Sequence, residues 1–296
     1  MARRLTTAVE GIAPFDLSPD TGSRSSCGHL SAAELRQEIS SRNVTHSEES
    51  EREISFSPTP SVIYREHHGA HGNFLPASWK RIVAHPLWKG RFNKSYTASR
   101  YLPRASDRKR FELECANSSD ALLMNIFCYP GLLARPRLCA LLGILPGLQP
   151  EFGFRPAIPR IDGHVDRTEI DMKLGDLLVE AKLTEGDFQR TRLKHLLRYR
   201  RIDDVFNADQ LPVVNGVVHS WQLIRGVLAA RAHSAAYFVF CDQRRLDLID
   251  RWFGVMQAVA DSALRTRLGI LTWQEISVAL PGTLRTFLDR KYGIRS

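Results

Sequence analysis

Two acids and a lysine stand out in the stretch TEIDMKLGDLLVEAKLTE, residues 168–185. Runs of alternating character, Thr168 to Leu174 and Leu177 to Leu183, flank Gly175-Asp176. A two-residue Gly-Asp connection between such runs predicts a β-hairpin with a type I′ or II′ turn. If Leu174 pairs with Leu177, counting outward sets Asp171 opposite Glu180 and Glu169 opposite Lys182. Alternation then gives Ile170, Met172, Leu174, Leu177, Val179, Ala181 and Leu183 one apolar face, and Glu169, Asp171, Glu180 and Lys182 the other. Like charges directly opposed across strands are destabilising. A divalent cation removes that repulsion, and two carboxylates suit Mg²⁺, which prefers oxygen ligands and keeps several waters. Lys182 would sit beside it. A solvated hairpin face, with Glu169 and Lys182 as an ordinary cross-strand pair, is the alternative.

The elements that must position these residues are legible in outline. "ANSSDALLMNIF" predicts a helix with a serine cap and an acid in its first turn, and Asn117 and Ser119 read as capping residues. "EFGFRPAIPRI" predicts a strand and is followed by the hairpin, then by a basic helix from about Asp187 to Phe206. "VVHSWQLIRGVLAARA" predicts a helix, "AAYFVFCD" a buried strand, and "LGILTWQEI" a further strand before a short helix opened by Pro281. Between the last two strands, Leu246, Ile249, Phe253, Met256 and Val259 form the apolar stripe of an amphipathic helix. The order predicts a mixed α/β core over residues 111–296. Residues 1–60 read as a flexible leader with one short helix at SAAELRQEI, and 61–110 as a basic, aromatic-rich extension.

Composition narrows the function classes. With 43% hydrophobic and 25% charged residues, the chain of 296 is that of a globular protein. Five irregularly spaced cysteines without a CxxC argue against a disulfide framework or a zinc cluster. The apolar region Ala121 to Leu148 is interrupted by Asn125, Pro130 and Arg135, so no membrane span is expected; Glu10 breaks the only N-terminal apolar stretch, so neither is a signal peptide. A reducing, cytoplasmic setting is the expectation. No GxSxG, P-loop or Cys/His pairing supports hydrolase or acyl-transfer chemistry of other kinds.

The net charge is +9, but Trp79–Arg110 alone carries ten Lys or Arg against one acid, and Gln189–Arg201 carries six against none. Positive charge so concentrated is expected of a partner of a polyanion. Lys89, Arg91 and Lys94 in the first segment, and Arg190, Arg192, Lys194, Arg198 and Arg201 in the second, are the candidate phosphate contacts; a solvated basic face is the alternative. Trp79, Trp88, Phe92, Tyr96 and Tyr101 could stack on bases, though most read as core anchors. His67, His68 and His71 have no fourth ligand at a zinc spacing and read as a surface loop.

An Asp on one strand and, nine residues later, Glu180-Ala181-Lys182 on the next, with helices on either side, resembles the PD-(D/E)xK nuclease superfamily. The likeness spans roughly residues 110–280. The helix around CANSSDALLMNIF, the hairpin and WQLIRGVLAA together are similar to a bacterial group of restriction-endonuclease-like proteins. Ile170 stands where the written motif has Pro, which leaves Asp166 and Glu169 as competitors for the acidic position; the register favours Asp171. The resemblance implies a restriction-endonuclease-like core, α-β-β-β-α-β, with a mixed sheet flanked by helices. It implies Mg²⁺, or Mn²⁺, on Asp171 and Glu180 with the Ala181 carbonyl as third ligand, and Lys182 beside the attacking water. It further implies a first-helix acid, Glu114 or Glu112, as an added carboxylate, and Gln222 as a residue that positions the site. A solvated helix-start acid and a buried glutamine bonded to backbone are the plainer readings of those two. The expected activity is hydrolysis of phosphodiesters in double-stranded DNA, with a homodimer favoured by cutting of both strands. The alternatives are a nucleic-acid-binding protein with a vestigial site, or a nuclease of RNA or of branched or single-stranded DNA.

Overall fold

The computed structural model of the chain describes residues 28–49, 52–55, 61–96 and 110–296. Tyr101, Arg100, Arg104, Arg108 and Lys109 of the basic extension, and residues 1–27 of the expected leader, lie outside them. At the centre is a five-stranded mixed sheet built from β1 (Glu151–Phe154), β2 (Ile170–Leu174), β3 (Leu177–Ala181), β4 (Ala236–Cys241) and β5 (Leu268–Thr272). Its spatial order is β5-β4-β3-β2-β1. β1 with β2 and β2 with β3 pair antiparallel, whereas β3 with β4 and β4 with β5 pair parallel. Parallel neighbours need crossover helices. α4 (Trp221–His233) precedes β4, and α5 (Leu246–Ala258) joins β4 to β5. α3 (Ser119–Phe127) precedes the sheet, and α6 (Trp273–Val278) and α7 (Gly282–Tyr292) follow it. The mixed α/β class is the one the sequence predicts.

The hairpin forms in the expected register, Met172 opposite Val179, Lys173 opposite Leu178 and Leu174 opposite Leu177. Gly175 takes φ +60° while Asp176 stays out of the left-handed region, which selects the II′ turn of the two. Because β3 is the middle strand, all five of its residues are buried. The solvated hairpin face is thereby excluded: Glu180 and Lys182 are 3% and 5% exposed. Met172, Leu174, Leu177, Val179, Ala181 and Leu183 join the apolar layer under α3, α6 and α7. Ile170 departs from that face and packs with Leu178 in the layer under α4 and α5, where the end of β2 leaves the hairpin ladder.

Several expectations are corrected by packing. Ser118, not Asn117 or Ser119, caps α3 by accepting the Ala121 N–H at 3.1 Å. Asn117 donates to the Thr184 hydroxyl and Ser119 to Glu185, tying α3 to the chain leaving β3. The basic segment is not one helix. Arg190–Arg192 is a strand paired with Val217–His219, followed by the short helices Leu193–Leu196 and Ile202–Val205. Left-handed backbone at Gln189 and Arg201 interrupts it. Asn215-Gly216, both at positive φ, turns Val213–Val214 back on Val217–His219, so α4 begins at Trp221 rather than Val217. In α5 the buried stripe is Leu248, Trp252, Val255 and Ala258; Leu246 and Phe253 are exposed.

Within the expected leader, Ala32–His46 forms α1, capped by Ser31 and Glu34, and buries Leu35 and Ile39 against the layer containing Leu284 and Leu288 of α7. No helix among the described residues is long and apolar enough to cross a membrane.

His71 is also corrected: it is 4% exposed, inside a ring cluster with Phe74, Trp79 and Phe92, while its neighbours His67 and His68 stay exposed. Trp79, on α2 (Pro76–Ala84), and Trp88 are core anchors as expected. Burial, aided by Lys291 and Arg65, lowers the His71 pKa from 6.5 to about 4. Between pH 6.5 and about 4 the unfolded chain therefore binds a proton that the folded chain refuses. Stability should fall with falling pH across that window by up to about 3 kcal/mol. Urea melts at pH 7 and pH 4.5 should show a smaller pH difference for His71→Phe than for wild type; an equal difference would refute the assignment.

α4 reaches the sheet at Gly226, where an added Cβ would lie 2.1 Å from Cζ of the buried Tyr237 on β4. Gly226→Ala is expected to destabilise by about 1–3 kcal/mol through overpacking. A thermal melt matching wild type would mean that α4 can step away from the sheet without loss.

Candidate active site

The ladder between β2 and β3 ends at Met172–Val179. One residue further, the Asp171 carboxylate accepts the Ala181 N–H at 2.8 Å, so a side chain stands where a backbone carbonyl would have paired. On its other edge β3 stays zipped to β4 through Lys182 N–H on the Phe240 carbonyl at 2.8 Å. In extended chain the N–H and C=O of one residue face the same edge. The Ala181 carbonyl is therefore directed to the side of Asp171.

Glu180 and Lys182, two apart on β3, project from one face, and Lys182 Nζ lies 2.6 Å from Glu180 Oε1. The Lys182 backbone is clamped a second time, its carbonyl accepting from Trp273 Nε1 at 2.8 Å. Burial acts to lower the Lys182 pKa, but Glu180 and Asp171 outweigh it and the net shift is upward. The side chain is held as an ammonium. Asp171 is driven the other way for a carboxylate. Burial first, then the charges of Glu180 and Asp120, raise its pKa well above the ordinary range, only partly offset by Lys182 and Lys94. Negative charge at Asp171 is under-compensated by the chain's own cations.

Asp120, in the first turn of α3, is 5% exposed and bonds Lys94 at 2.7 Å and Arg91 at 2.9 Å. The same two cations reach Glu169, Arg91 at 2.9 Å and Lys94 at 3.1 Å. Gly153 of β1, at φ +69°, makes room for this network, since a Cβ there would meet Arg91 Nη1 at 2.0 Å. Of the expected phosphate contacts in this segment, Arg91 and Lys94 are thus engaged by acids beside Asp171, and Lys89 is exposed. Arg190, Arg192, Lys194, Arg198 and Arg201 are all exposed, Arg190 and Arg201 with salt bridges to Asp187 and Asp204.

Glu114 is buried and occupied, one oxygen by Arg65 and the other by the Phe111 N–H at 2.8 Å. Glu112, in the same 3-10 turn, is buried as well. Gln222 is half-buried in the first turn of α4, its N–H on the Phe188 carbonyl at 2.9 Å, and the Phe188 ring is 5.7 Å from Lys182 Nζ. Asp166, a competitor for the acidic position, is bonded by Thr168 and Tyr199. Asp120, Arg225 and Tyr237 are site neighbours that sequence reasoning passed over. Asp120 reads as a helix-start acid, and only its burial distinguishes it. The Tyr237 hydroxyl is buried without a partner among the described residues, and burial, then Glu180 and Asp171, push its pKa up.

The donor set at the strand separation is two carboxylates and one carbonyl. Among the described residues no three His, Cys, Asp or Glu side chains gather as a metal cage. That composition fits a hard cation that retains waters, such as Mg²⁺, and fits poorly a zinc site with three or four side-chain ligands.

Fold and site together define a mixed α/β protein with a buried acid–lysine centre where two sheet strands part. A family model described as "Restriction Endonuclease associating with ARP" matches residues 49–293, and the chain belongs to that restriction-endonuclease-like family. Family membership supports a nuclease-like role. No curated protein and no solved structure matches the chain.

Proposed function

We propose that the protein is a Mg²⁺-dependent deoxyribonuclease of the PD-(D/E)xK type, hydrolysing DNA phosphodiesters at Asp171, Glu180 and Lys182. The observation that carries this reading is the meeting of half-buried Asp171 with buried Glu180 and Lys182 where β2 and β3 part, the Asp171 carboxylate on the Ala181 N–H and Lys182 Nζ 2.6 Å from Glu180. The order α3-β1-β2-β3-α4-β4 supports it as well. Asp171, Glu180 and the Ala181 carbonyl would hold the ion, which supplies Lewis acidity and a more acidic bound water. Mn²⁺ suits the same oxygens.

Lys182, with Nζ 2.6 Å from Glu180, would orient or deprotonate the attacking water and neutralise charge growing on the phosphoryl oxygens. Gln222, half-buried in the first turn of α4, would help position the site. Glu114 is bonded to Arg65, and Asp120 is the first-helix acid whose charge reaches Asp171. Arg190, Arg192, Lys194, Arg198, Arg201 and Lys89 would contact phosphates without reading sequence, giving affinity that declines with salt. Cutting both strands would call for a homodimer.

The test is cleavage of plasmid, linear duplex, single-stranded DNA and RNA with Mg²⁺, Mn²⁺ or EDTA. Lys182→Ala is expected to lower the rate about 10²–10³-fold with DNA binding retained. Binding without cutting in either metal would instead indicate a nucleic-acid-binding protein with an inactive site. Cutting that Lys182→Ala leaves unchanged would assign the chemistry to other residues.

A further inference from the structure

A second polar cavity, of about 140 Å³, opens beside the acid–lysine centre and is lined by residues of four separate segments. Arg160, Arg198 and Arg225 converge on it with the hydroxyl-bearing Thr168 and Thr191. The only acid lining it is Asp166, 4% exposed, and its carboxylate is already taken by the Thr168 N–H at 2.8 Å, by the Thr168 hydroxyl and by the Tyr199 hydroxyl. Arg160 Nη2 and Arg225 Nε stand 3.7 Å from Asp166, close enough for charge but too far for a hydrogen bond. Arg160 Nε is buried with no hydrogen-bond partner among the described residues. Three guanidiniums against one carboxylate leave the lining with an excess of positive charge.

The backbone around it is held in uncommon conformations. Gln189, Arg201 and Ser220, none of them glycine, take φ of +62°, +59° and +54° at the ends of the segments carrying Thr191, Arg198 and Trp221. Such strain persists only where surrounding structure over-determines it, and it concentrates at binding sites. Arg225 also ties the cavity to the centre, its Nη2 donating to the Glu169 carbonyl at 3.4 Å. Thr168 precedes Asp171 by three residues, so their Cα atoms lie within about 11 Å.

We propose that this cavity is a phosphate-binding subsite, seating one phosphate of a DNA strand while another lies at Asp171, Glu180 and Lys182. The inference rests on the nuclease reading for the identity of the strand, but not for the binding of phosphate. Guanidinium forks with the Thr191 hydroxyl match a tetrahedral oxyanion. The phosphate is either an internal diester or a 5′-terminal monoester.

The experiment is calorimetric titration in EDTA with three probes: inorganic phosphate, a duplex oligonucleotide with a 5′-phosphate, and the same duplex with a 5′-hydroxyl. The variants are Arg160→Ala, Arg198→Ala and the control Arg137→Ala. Arg137 is exposed on the helix Pro136–Leu142, which packs on the opposite face of the sheet. Both cavity variants are expected to bind about tenfold more weakly than the control and to lose about one from the salt slope. Equal loss on both duplexes identifies an internal diester, and loss confined to the phosphorylated one identifies an end. Cavity variants that bind every probe as tightly as Arg137→Ala would overturn the subsite. Arg160-dependent binding of inorganic phosphate with no duplex binding by wild type would keep the subsite and reject the DNA reading. Arg198 is exposed, so its variant remains a test if Arg160→Ala fails to fold.

Discussion

Asp171→Asn is expected to abolish metal-dependent cleavage, by about 10³-fold if the ion's stabilisation of the transition state is roughly 4 kcal/mol, and in EDTA to raise the melting temperature. The two effects share one cause. The folded Asp171 pKa lies well above the ordinary value because burial and the charges of Glu180 and Asp120 oppose ionisation. A carboxyl so placed weakens the fold wherever the pH exceeds its folded pKa. The penalty is relieved as pH falls through that pKa toward the unfolded value. Asparagine removes the charge yet keeps an oxygen to accept the Ala181 N–H, so the local geometry survives. The gain should be roughly 2–4 °C per kcal/mol relieved and should shrink on acidification, as wild-type Asp171 becomes protonated. Melting curves of both proteins from pH 8 to pH 4 in EDTA measure this directly. A variant no more stable than wild type at neutral pH would mean that Asp171 is already compensated and the site has no need of a cation. Mg²⁺ should also raise the melting temperature of wild type and leave the variant unmoved.

Asp120→Asn should act in the opposite direction, with a loss of about 3–5 kcal/mol, on the order of 10 °C in melting temperature. Burial opposes the Asp120 charge, but Lys94 and Arg91 more than compensate and hold its pKa below the ordinary value. Its contribution is present at neutral pH and lost as pH falls toward the folded pKa. Removing it leaves two half-buried cations with Glu169 alone. Lys94→Met in the same chain should recover part of the loss, because it removes the cation left in excess. A single variant as stable as wild type would show that Glu169 suffices. The network also bears on the site, since Arg91 and Lys94 neutralise acids that would otherwise crowd Asp171 further.

Residues near in sequence set much of this arrangement without help from the rest of the chain. Gly175-Asp176 and the alternation around it specify the hairpin and its register as far as Met172 and Val179, because a tight turn leaves one pairing that buries an apolar face; beyond it Asp171 bonds the Ala181 N–H and Glu169 turns to Arg91 and Lys94 instead of continuing the expected ladder. The Ser118 cap and the apolar run of β4 are equally local. Asn215-Gly216 is as strong a hairpin signal, yet the apolar residues after it also match a helix, and only the partner strand Arg190–Arg192 decides between them. In α5 two adjacent stripes satisfy the helical period. Contact of Trp252 with Tyr237, ring centroids 5.6 Å apart, selects the stripe through Leu248 and Val255.

Charge was the least legible quantity, because a charged residue's role depends on what faces it across the fold. Arg91 and Lys94 belong to a basic run by sequence, but Asp120 and Glu169 approach them from 26 to 78 residues away. The burial that separates a capping acid from a site neighbour at Asp120, and that raises Asp171 and holds Lys182 charged, arises only when α3, β1 and α4 close around β2 and β3. The sequence by itself determined which acids and which lysine the hairpin carries. Tertiary structure alone decided their ionisation, because desolvation and the charges of distant segments exist only in the packed state.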